Sequence, residues 1–106
     1  MTEARVVLCT VPDEATAERM ARALLHEELA ACVNIVPGLT SVYRWKGNIE
    51  ADPEHLLVIK TRRECVGALK AALPSLHPYE VPELLVLPVL DGHPPYLSWI
   101  DESVRR

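Results

Sequence analysis

The stretch CVNIVPGLTSVYRWKGNIEADPEHLLVIKT, residues 32–61, decides how this chain folds. Cys32–Val36 is an apolar run broken by Pro37-Gly38. It resumes over Thr40–Trp45, where Thr, Val, Tyr and Trp favour extended, pleated backbone. Proline and glycine inside such a pattern mark a bulge or bend. Lys46-Gly47-Asn48 reads as a tight turn, and Leu56–Thr61 as the returning strand, beginning as early as Ile49. Arms from Cys32 to Trp45 and from Ile49 to Thr61 hold about 13 residues each, or ~43 Å at ~3.3 Å per residue. A compact domain of this length has a radius of gyration of ~13 Å and so a diameter of roughly 33 Å. The hairpin is therefore expected to outreach its own domain and to bare Val42, Tyr43 and Trp45 on strand edges that need a partner. A ring of identical subunits supplies one by symmetry. A bulge at Pro37–Gly38 that folds the hairpin back over its own sheet is the alternative.

On the N-terminal side, Val6–Val11 is a β-branched run that fits a buried strand and stops at Pro12. Asp13 stands where a helix N-cap belongs, and Ala17, Met20, Ala21, Leu24, Leu25 and Leu29 then repeat at helical steps. On the C-terminal side, Thr61 and Glu64 have the spacing of a capping box. It opens a shorter helix with Val66, Leu69 and Leu73 inward, which Pro74 is expected to end. His77–Glu83 contains two prolines and is read as a loop. Leu84–Leu90 is a fourth strand, and Pro94–Val104 a terminal helix presenting Tyr96, Leu97, Trp99 and Ile100. The order βαββαβ plus a C-terminal helix predicts an α+β, ferredoxin-like sandwich.

At 106 residues the chain reads as a single domain over residues 1–106, and 49% hydrophobic residues suffice for a core. No apolar run is long enough for a membrane span and no charged-then-apolar leader is visible, so a cytoplasmic location is expected. The net charge of −4 is scattered, which argues against a nucleic-acid partner. The basic pairs Arg62–Arg63 and Arg105–Arg106 read as solvated. Three widely spaced cysteines, Cys9, Cys32 and Cys65, fit neither a disulfide framework nor a zinc ribbon and read as reduced thiols.

Four segments carry a more specific signal. Leu8–Asp13 resembles the opening of the CutA family, and Leu29–Gly38 is similar to its second signature. Ser41–Gly47 resembles the third, and His77-Pro78-Tyr79-Glu80-Val81-Pro82-Glu83 the fourth, followed by Tyr96-Leu97-Ser98-Trp99. The resemblance covers nearly the whole chain in order. It implies a ferredoxin-like homotrimer akin to the P-II signalling proteins, with divalent metals, copper especially, as partners. It also implies Cys9 and His77 as metal ligands; Leu76 stands where some members carry a second histidine.

Weighed on their chemistry, these residues leave choices open. A thiolate with an imidazole suits copper, whereas a free cysteine in an apolar strand is ordinarily a small buried hydrophobe. Trp45, Lys60, Tyr79, Glu80 and Glu83 form a second group, expected to gather in a cleft between subunits and bind a cation or small ligand. Equally, the aromatic residues pack an interface and Lys60 pairs with a glutamate. A metal-binding homotrimer is the leading reading, with a regulatory small-ligand trimer of P-II type as the alternative. An enzyme is not expected: no nucleophile stands beside a base and no glycine-rich phosphate loop is present, although Glu80 with Glu83 could serve as an acid–base pair.

Overall fold

The computed structural model describes residues 1–105. The elements are β1 (Ala4–Val11), α1 (Glu14–His26), β2 (Cys32–Trp45), β3 (Asn48–Arg62), a 3-10 turn over Arg63–Cys65, α2 (Val66–Leu76), β4 (Leu85–Pro88) and α3 (Pro94–Ser103). The strands form one antiparallel sheet in the order β2-β3-β1-β4. That is the ferredoxin-like arrangement expected from the element order.

The two faces of the sheet follow from strand alternation. Val7, Cys9 and Val11 of β1 are fully buried and pair with Ile59, Leu57 and His55 of β3. They meet Ala17, Met20 and Leu24 of α1 and Leu69 of α2 in one core. The alternate residues Val6 and Leu8 turn to the other face, alongside Leu87 and Leu85 of β4 and Lys60 and Val58 of β3. There α3 lies against β3 and β1, with Ile100 buried. Much of the remaining face stays open: Leu85 is 54% exposed and Leu87 43%.

Asp13 caps α1 as expected, its Oδ1 accepting a hydrogen bond from the Thr16 N–H at 2.7 Å. The Thr16 hydrogen bonds hold the Asp13 carboxyl below its ordinary value of 3.8. A lowered folded-state value means the cap's charge-dependent contribution is present above that pH and lost as pH falls. Asp13→Ala is therefore expected to lower the thermal midpoint by a few degrees at pH 7 and by less at pH 2; equal losses at both would refute the charge-dependent part.

The long hairpin is continuous. β2 runs unbroken through Pro37-Gly38, and its register against β3 slips between Val36 and Leu39, which is the bulge. Gly38 there has φ +79°, a conformation glycine adopts without strain. The molecule measures 44 × 26 × 22 Å, so the hairpin overhangs the body instead of folding back. At its tip Val42 is 67% exposed and Ile49 70%.

Four local expectations fail for physical reasons. The capping box at Thr61 is not made, because the buried Thr61 hydroxyl donates to the Leu29 carbonyl at 2.7 Å. Glu64 instead receives two hydrogen bonds from the Arg62 guanidinium. Arg62, expected to be solvated, is buried with its Nε 2.7 Å from Asp101 of α3; Arg106 of the other basic pair lies outside the described residues. Pro74 does not end α2: the His77 N–H donates to the Leu73 carbonyl at 2.9 Å and carries the ladder past it. Finally, β4 spans Leu85–Pro88 rather than Leu84–Leu90, since Leu84 packs against the core and Pro88 has no N–H to donate.

Candidate functional site

Where the hairpin leaves the body of the sheet, the loop after α2 crosses the exposed side of β3. His77 starts this loop and is anchored at both ring nitrogens. Nε2 donates to the Thr10 carbonyl at 2.8 Å, and Nδ1 accepts the Tyr79 N–H at 3.1 Å. With Nδ1 accepting, the ring proton sits on Nε2. Its ring also lies 4.7 Å, centroid to centroid, from that of Tyr79. Pro78 and Pro82 stiffen the rest of the loop.

So positioned, Tyr79 reaches back to β3, and its hydroxyl donates to Glu54 Oε2 at 2.6 Å. Glu54 is a carboxylate only 7% exposed. Burial first, and then the Glu54 hydrogen bond and charge, push the Tyr79 phenol well above its ordinary range. Tyr43 donates similarly to Asp52; that hydrogen bond, then burial, pushes its phenol up to about 12. Both phenols therefore stay protonated donors at neutral pH.

Tyr43, Tyr79 and Glu54 line a cavity of about 680 Å³. Its aromatic walls are Tyr43, Trp45 and Tyr79, and its carboxylates are Glu54, Glu80 and Glu83. Four of the five residues expected in a cleft, Trp45, Tyr79, Glu80 and Glu83, are thus brought together. Lys60 is not brought to them. It lies six residues beyond Glu54 on β3, roughly 20 Å at the strand rise, where its ammonium meets Asn34 Oδ1 and lies 3.9 Å from Cys32 Sγ. Glu54, Tyr43 and Asp52 were missed from the sequence. Glu54 reads as a solvated acid beside Pro53; the one available signal was its alternation with Leu56 and Val58, which sets it on the face that the loop covers.

Cys9 and His77 converge on one group, the Thr10 carbonyl, which lies 3.8 Å from Cys9 Sγ and 2.8 Å from His77 Nε2. Cys9 is fully buried on the helix-facing side, however, whereas its neighbour Thr10 lines the cavity on the other. Desolvation, followed by the charges of Glu83 and Glu54, pushes the Cys9 thiol up to about 12. Among the described residues no three His, Cys, Asp or Glu side chains are grouped to hold a metal ion.

Comparison with known proteins supplies a family. Residues 5–103 match the model of the CutA1 divalent ion tolerance protein family. The divalent-cation tolerance protein CutA of Thermus thermophilus is 52% identical over 98 residues, 92% of this chain and 95% of that protein. The solved structure of a Thermus thermophilus divalent cation tolerance protein superposes with a TM-score of 0.94 at 50% identity, covering 96% of this chain and 99% of the other. A solved CutA from Archaeoglobus fulgidus, described as periplasmic, gives 0.92 at 37% identity over 96% and 99%. No helix among the described residues is long and apolar enough to cross a membrane. This chain belongs to the CutA1 divalent ion tolerance protein family.

Proposed function

We propose that the protein works as a homotrimer in copper tolerance, as a binding module rather than an enzyme. The observation that carries the assembly is the overhanging hairpin: Val42 and Ile49 at its tip, like Leu85 and Leu87 on the open sheet face, are apolar and solvated in a single chain. Packing against further copies removes that surface from water and satisfies the free strand edges. In solution the mass is expected to be three times the 11.8 kDa of the chain; a monomer at micromolar concentration sinks the assembly.

For copper, the support is the relatives' described role in divalent-cation tolerance together with the meeting of Cys9 and His77 at one carbonyl. Soft thiolate and imidazole donors suit copper. Binding there requires His77 to leave the Thr10 carbonyl and Cys9 to lose its proton. Under anaerobic conditions Cu(I) is expected to bind stoichiometrically, and Cys9→Ser and His77→Ala each to abolish it. Binding unchanged in both variants rules this pair out. A cytoplasmic location accords with three free thiols, Cys9, Cys32 and Cys65.

The cavity favours a second reading, that of a small-ligand-binding trimer of P-II type. Its volume lies in the range that encloses small molecules, and a neighbouring subunit would close its hairpin side.

A further inference from the structure

We infer that the cavity beside the hairpin binds a small organic diammonium, a short polyamine, its ammonium groups on the carboxylates of Glu54, Glu80 and Glu83 and its methylene chain against Tyr79 and Trp45. The inference rests on the small-ligand reading of the cleft and names the chemistry of the ligand.

Charge sets the sign of the ligand. Three carboxylates line the cavity, and none of its lining residues is Lys, Arg or His. Glu54, Glu80 and Glu83 form no ion pair among the described residues. A phosphate or a dicarboxylate would enter a field of three carboxylates with no cation among the lining residues, whereas a cation relieves it. Glu54 matters most, because a carboxylate this buried is costly without a positive partner, and the hydrogen bond from Tyr79 comes from a neutral phenol.

Size and spread exclude a bare ion as the best fit. A single metal ion fills a small part of 680 Å³, and these carboxylates are not bunched to ligate one. Carboxylates that do not converge on one point, lining a cavity with Tyr79 and Trp45, match a molecule whose positive charges are separated by a hydrocarbon spacer. The wall itself is suited to ammonium: the Lys46 ammonium already lies 5.8 Å from the centroid of the Trp45 ring, a cation–π contact made by the chain's own side chain.

The test uses three four-carbon probes of matched length on the purified oligomer at low salt: putrescine, butane-1,4-diol and succinate. Calorimetry is expected to show that putrescine binds and the other two do not. Affinity should fall tenfold or more in Glu54→Gln, in Trp45→Ala and in the exposed Glu80→Gln, which does not threaten the fold, and should weaken with added salt. Succinate or the diol binding in the cleft, with loss in Trp45→Ala, would overturn the ammonium chemistry and leave the small-ligand reading standing. Putrescine binding unchanged in all three variants would overturn the site, and no binding by any probe would overturn both readings.

Discussion

In the folded protein at pH 8, Cys9 is expected to react with iodoacetamide about a thousandfold more slowly than the same cysteine in urea. The thiolate is the reacting species. Raising a thiol from its ordinary 9.0 to about 12 cuts the thiolate fraction at pH 8 by about three orders of magnitude. Burial between β1 and the helices adds a steric barrier, since Cys9 is fully enclosed. Mass spectrometry of the alkylated peptides measures the rate, and a native rate within tenfold of the unfolded one would show that Cys9 is not held as described. The same shift fixes a pH dependence. A folded-state value above the unfolded one stabilises the protein below pH 9 and loses that contribution as pH rises toward 12; Cys9→Ser should flatten the alkaline limb. It also fixes how copper would bind. Each ion held by Cys9 must displace one proton, so apparent affinity should climb about tenfold per pH unit across the neutral range. Cu(I) uptake insensitive to pH would place the metal elsewhere.

Much of the fold was legible because its strongest signals are periodic and local. The helical repeat from Ala17 to Leu24 and the cap at Asp13 both lie within one element and need no tertiary knowledge. The hairpin's reach followed from counting residues, since backbone rise per residue hardly varies. What misled was local chemistry that a distant partner captured. Thr61 has the right neighbour for a capping box, but the Leu29 carbonyl, 32 residues away, takes its hydroxyl. Arg62 looks like any surface cation until Asp101 of the last helix closes over it.

The cleft was half legible for the same reason. Tyr79, Glu80 and Glu83 share one proline-stiffened loop, so their proximity is written in the chain. Glu54 joins them only because Tyr79 bends back across β3, and no spacing rule spans those 25 residues. Lys60, expected in the group, shares strand β3 with Glu54. Strand geometry separates the two, and in this chain the cavity is the more negative for it.

The larger stability effect tests the two faces of the sheet against each other. Leu57→Ala is expected to cost about 2–5 kcal/mol, a large share of the roughly 5–15 kcal/mol typical of a folded domain. Leu57 is fully buried, pairs with Cys9 on one side and Ile35 on the other, and belongs to the core beneath α1. Its neighbours are held by two strands and a helix, so they cannot collapse into the space left. Leu85→Ala removes the same atoms from a residue 54% exposed on the opposite face. In an isolated chain that change should cost well under about 1 kcal/mol, because the deleted atoms are already largely in water. If further copies cover this face, the two substitutions should converge, and the cost of Leu85→Ala should grow with protein concentration as subunit binding is lost. Urea unfolding of both variants at two protein concentrations separates the cases. A small, concentration-independent loss for Leu85→Ala, beside a large one for Leu57→Ala, would mean that the open face stays in water and that the trimer is not built across it.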